Sequence, residues 1–183
     1  MRRRRERGAD SRGGQGGGGV SGYKFEGARY EATKSLSLAA VNRLIRADIK
    51  ALVEAGEIPS GAYTVRKGHR TITIEFVAPL RSLFAEERLV AEQLDPHGWH
   101  RGERYSVEGR ALIATLTAVA SAYTYDDSDI CTDYFNSRFW LYVKPEPEWE
   151  RTRRELEIER IEFTRRERES GHVAMLAAMG VDP

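Results

Sequence analysis

The sequence predicts an α+β domain: one antiparallel sheet covered by helices, with a disordered N-terminal tail and a charged C-terminal helix. Three observations carry this expectation. Along residues 23–145 the apolar pattern reads helix, hairpin, two helices, hairpin, which is neither a βαβ alternation nor an all-strand pattern. Composition changes sharply at residue 22 and again at Pro145 and Pro147. The stretch between, about 120 residues, can bury roughly two thirds of its extended-chain surface.

Residues 1–22 hold eight of the 17 glycines and no aromatic residue, with six arginines against Glu6 and Asp10. Such a segment cannot bury enough surface to offset its ordering entropy, so it is predicted to be a disordered, basic tail. Residues 23–145 balance 16 basic against 16 acidic side chains, and 146–183 carry seven arginines against ten acids. The net charge of +1 therefore conceals a basic head and an acidic-leaning end.

The first helix is expected over 37–55, where Val41, Leu44, Ile45, Ile49, Leu52 and Val53 recur at three- and four-residue spacing. Ser35 or Ser37 can cap its start and Gly56 its end. Tyr63–Lys67 and Thr71–Phe76 alternate apolar and polar residues, a hairpin turning at Gly68-His69, with Ile72, Ile74 and Phe76 facing the core. Pro79 suits the first turn of a second helix carrying Leu80, Leu83, Phe84, Val90 and Leu94, ended by Asp95-Pro96. A third helix over 107–122, capped by Ser106, is apolar nearly all round and reads as buried. Ala122–Tyr125 and Arg138–Val143 are strand-like and flank an acidic loop, with Phe139, Leu141 and Val143 on one face and Trp140 and Tyr142 on the other. After the prolines, 148–169 is a charged helix whose apolar seam is too thin for a coiled coil. It reads as a solvated helix or an arm that docks a partner. Ser170-Gly171 is expected to break it before a short apolar helix from Val173.

No apolar run approaches the roughly 18 residues that a membrane span needs. Met1–Arg5 leads into glycine rather than an apolar core, unlike a secretory signal. The single cysteine, Cys131, rules out a disulfide framework and fits the cytoplasm. The sequence has no nucleophile elbow, no phosphate-binding glycine loop and no dinucleotide fingerprint, so no catalytic residue, cofactor or resident metal is assigned.

Asp126, Asp127, Asp129 and Asp133 crowd eight residues, and carboxylates this close need compensation. Turn and capping roles, a partner-binding loop and a divalent-cation site are the readings. The spacing lacks the mid-loop glycine and terminal glutamate of a calcium loop. His97 and His100 offer only two ligands and no evident third. The partner-binding candidates are Asp127, Asp129, Asp133, Tyr134, Trp140 and Tyr142. Arg66, Lys67 and Arg70 at the hairpin turn, with Arg43 and Arg46 on the first helix, are the nucleic-acid candidates.

Several of these pieces occur together in a known family. They are Asn42–Lys50, Tyr63–Arg66, Thr73-Ile74, Tyr125–Asp129, Thr132–Phe135 and Phe139–Val143. Residues 30–143 resemble the twenty-ninth of the large polyvalent protein-associated domains. The pattern departs at the hairpin exit, where Phe76-Val77-Ala78-Pro79 replaces a Trp-x-Asp-Gly-Pro-like turn. The resemblance implies an α+β accessory module of phages, plasmids or conjugative elements, with no assigned catalytic residues. The expectation is a non-enzymatic module binding a protein partner. The alternative is a nucleic-acid-binding accessory protein, and a distant third is a metal-dependent hydrolase. Partner identity and oligomeric state are not specified.

Overall fold

The computed structural model describes residues 24–95, 102–128 and 135–178, and their architecture is α+β. The tail at 1–22, His97, His100, Asp129, Cys131, Asp133 and Tyr134 lie outside the described residues.

The chain enters through a short strand, β1 (Phe25–Glu26), and one helical turn, α1 (Tyr30–Thr33). The first long helix, α2 (Leu38–Glu54), forms where its apolar stripe predicts. Ser37 caps it by accepting the Ala40 N–H at 3.3 Å. Gly56 closes it at φ +72°, which lets its own N–H reach the Val53 carbonyl while the Glu57 N–H reaches that of Leu52. Val41, Ile45 and Ile49 are buried, whereas Leu44 sits at the rim of the stripe and is exposed.

Strands β2 (Ala62–Lys67) and β3 (Thr71–Val77) make the expected antiparallel hairpin, Val65 opposite Ile74. Gly68 still pairs with Thr71 through its N–H at 2.8 Å, so the two turn residues are His69 and Arg70. Ile72, Ile74 and Phe76 are fully buried against the helices. Each such side chain contributes about 1.5–3 kcal/mol relative to exposure.

The second expected hairpin forms only at its base, where the Asp127 N–H donates to the Asn136 carbonyl and the Arg138 N–H to the Tyr125 carbonyl. Strand β5 (Trp140–Pro145) instead joins β3 in parallel, Thr73 opposite Tyr142, giving a mixed sheet of order β2-β3-β5. Strand β4 (Tyr125–Asp126) pairs with β1, and meets the approach to β5 through an isolated bridge of Asp126 with Ser137. A parallel neighbour requires a long crossover, which residues 78–139 supply. Strand alternation looks the same in either direction.

Two helices form that crossover. Helix α3 (Glu86–Leu94) starts seven residues after Pro79, not at it. Leu80, Leu83 and Phe84 are core residues carried on irregular chain, while Leu94 is 78% exposed. Helix α4 (Val107–Ser121), capped by Ser106, buries only the stripe Gly109, Leu112, Leu116 and Ala120. Its remaining alanines give a surface too small to demand burial.

Helix α5 (Pro147–Ala178) is continuous through Ser170-Gly171. A glycine within a helix costs only about 1 kcal/mol relative to alanine, too little to break it. Its first half is docked rather than solvated. Trp149 meets Phe76 edge-on with ring centroids 6.1 Å apart, and Ile158 and Ile161 pack on the core. Glu157, only 3% exposed, accepts the Leu83 N–H at 2.7 Å, the Phe84 N–H at 3.1 Å and the Ser82 hydroxyl at 2.9 Å. Arg153 pairs with it at 3.1 Å and donates to the Leu80 and Arg81 carbonyls. These bonds occupy backbone groups of the irregular segment 80–84, which explains why it can be buried without being helical. Among the described residues no helix is long and apolar enough to cross a membrane.

Candidate partner-binding surface

Helices α2 and α4 lie against one face of the sheet, and no described element covers the other. The uncovered face reads row by row from the register. Tyr142 stands beside Thr73 and Arg66, Trp140 beside Thr71, and Lys144 beside Glu75 and Thr64. Trp140 is 41% exposed and Tyr142 56%. Phe135, also exposed, tilts against Trp140 with centroids 6.1 Å apart. Sequence alternation places Trp140 and Tyr142 on this face; Phe135 is added by tertiary structure, with no periodicity to reveal it.

Charge on this face is partly neutralised. Glu75, in the central strand, reaches Arg66 at 3.4 Å on one side and Lys144 at 3.5 Å on the other. Arg70 is a structural tie: its guanidinium donates to the Ser137 carbonyl at 3.0 Å, and its own carbonyl accepts the Trp140 N–H at 2.8 Å. Arg138 anchors the same approach. It donates to the Thr33 and Leu36 carbonyls, the Thr33 hydroxyl and the Tyr123 carbonyl, with its charge over the Tyr30 ring. Desolvation lowers the Arg138 pKa from its ordinary value.

The basic candidates therefore separate. Arg46 crosses to the outer edge of β2, where its Nε donates to the Val65 carbonyl at 3.1 Å. The buried Asn42 amide reaches the same oxygen at 3.4 Å. Arg43 and Lys67 are exposed to solvent.

Of the acidic loop, Asp126 has a turn role, its carboxylate accepting the Ser128 N–H at 3.0 Å. The backbone of Asp127 pairs with Asn136 and its side chain is exposed. Among the described residues no three histidine, cysteine or carboxylate side chains converge as metal ligands.

Between this loop and β5 lies a cleft of about 310 Å³, bounded by Phe25, Thr124, Asp126, Ser137, Phe139 and Leu141. Ser137 is only 5% exposed, yet its hydroxyl has no hydrogen-bond partner among the described residues. Nothing in the sequence singles out this serine. Its significance arises from the bend that brings β4 and β5 together and then separates them. A larger cleft of about 660 Å³, between α3, α4 and α5, mixes Arg81, Arg110, Arg160 and Arg168 with Glu86 and Glu103. Arg110 and Glu103 already pair at 3.2 Å.

A scan against protein-family models and searches of curated proteins and of solved structures find no match to this chain.

Proposed function

We propose that the protein is a non-enzymatic binding module that holds a protein partner on the uncovered β5 side of its sheet. The observation that carries this reading is the cluster of Phe135, Trp140 and Tyr142, exposed together on a face that no described element covers. Large aromatic side chains grouped at a surface supply binding energy at small conformational cost, and such groups mark interaction sites. Exposed Asp127 at the rim adds a charge that selects among partners. The sequence pattern of residues 30–143, read as resembling a polyvalent-protein module, extends this proposal to an accessory factor of a phage, plasmid or conjugative element. The lone cysteine suits action in the cytoplasm.

The test uses full-length protein and its Trp140→Ala/Tyr142→Ala variant as baits in host extract. Both side chains are exposed, so the variant should keep its fold, as circular dichroism can verify. A species retained by the wild type and lost by the variant is the expected result. Identical capture by both overturns the reading.

A second reading, nucleic-acid binding, is favoured by the flank of α2 beside β2. There Arg46 and Lys50 line a cleft of about 210 Å³ with Tyr63 and Val65, and Arg43 lies one turn earlier. It requires an oligonucleotide affinity that falls steeply with salt. Salt-insensitive or absent binding removes it.

A further inference from the structure

We infer that the partner docks as an extended peptide, adding a strand to the outer edge of β5 and placing one apolar side chain in the cleft beside Ser137. This rests on the binding reading above and names its chemistry. The Trp140 N–H donates to Arg70 and the Glu146 N–H to Phe76, so even-numbered residues of β5 face β3. Strand alternation turns the N–H and C=O groups of Leu141 and Val143 the other way. Among the described residues no strand is paired to β5 on that side, and those groups have no hydrogen-bond partner. The unpartnered hydroxyl of Ser137 lines the adjoining cleft. A row of backbone donors and acceptors at strand spacing matches another backbone, which neither a small anion nor a stacked base can reproduce.

The surroundings narrow the peptide. Phe25, Phe139 and Leu141 give the cleft apolar walls, and 310 Å³ accommodates one aliphatic or aromatic side chain. Asp126 lines the cleft and Asp127 is exposed beside it, so a lysine or arginine next to the apolar residue complements the rim.

The probe is a phage-displayed library of short random peptides selected on the full chain, followed by synthesis of the recovered peptides. The expected peptides pair an apolar residue with a neighbouring cation. Methylating their backbone nitrogens one at a time should weaken binding at least about tenfold at every second position only. Val143→Pro, which removes one outward N–H and leaves the bonds to β3, should weaken binding similarly. Ser137→Ala, which takes away a hydroxyl left for the docked peptide backbone to pair with, should weaken it without lowering thermal stability. Peptides that bind without the two-residue period and tolerate Val143→Pro, yet are lost in Trp140→Ala/Tyr142→Ala, overturn strand addition and leave the binding module standing. Failure to select any peptide, with host capture still dependent on those aromatics, does the same. If that capture also fails, both readings fall. A labelled oligo(dT) whose binding falls steeply with salt and is lost in Trp140→Ala/Tyr142→Ala, while no selected peptide depends on that face, would assign the face to nucleic acid and overturn the peptide.

Discussion

Strands β2 and β5 both lie at the edge of the same small sheet, and they meet their surroundings differently. On β2 the outward carbonyl of Val65 is occupied by the Arg46 guanidinium and the Asn42 amide, and a charged side chain lies across the middle of the strand. On β5 the outward groups of Leu141 and Val143 have no such cover among the described residues, and beside them sits a buried hydroxyl that none of those residues pairs with. An exposed edge is a template for pairing, and proteins block edges that serve no purpose. The contrast teaches that one edge is closed against association and the other is available for it.

The largest effect that can break this comparison comes from proline scanning of β5. Tyr142→Pro removes an N–H facing β3 and should cost about 3 kcal/mol or more in denaturant unfolding. Val143→Pro should cost only about 1 kcal/mol, mostly lost packing, because its N–H faces outward. Equal costs would mean that the outward edge is not open. Next in size, Asn42→Ala/Arg46→Ala should lose about 2 kcal/mol and raise self-association by sedimentation, as β2 loses its plug. An unchanged sedimentation profile would show that β2 needs no blocking.

Smaller still, Ser137→Ala should leave stability unchanged or raise it by about 1 kcal/mol, since it removes a buried hydroxyl without a partner among the described residues. A clear loss of stability would reveal a hydrogen bond at that site. The finest test is amide hydrogen exchange by NMR. Leu141 and Val143 should exchange faster than Trp140, Tyr142 and Lys144, and binding of a partner strand should slow the first pair selectively.

Much of this architecture is legible in residue order. The stripe of α2, its serine cap and glycine stop, and the alternation in β2, β3 and β5 are local patterns, and each forms close to its expected bounds. Alternation also identifies Trp140 and Tyr142 as a solvent-facing pair. It does not fix strand direction, so an expected hairpin becomes a parallel partner. It does not rank basic residues either. Arg46, Arg66 and Arg70 look equivalent as charges, yet one caps an edge, one pairs with Glu75 and one ties a turn to β5.

Helix α5 marks the boundary most clearly. Charge pattern alone makes Arg153 and Glu157 an ordinary i,i+4 surface pair, and it determines that a helix forms there. Only the fold decides that Glu157 is buried, because the irregular segment Ser82–Phe84 presents its donors at that point and few alternatives satisfy them. The same holds for Ser137 and the outer edge of β5. Periodicity records which way a side chain faces its own backbone. Whether a backbone group finds a partner depends on which distant strand arrives beside it.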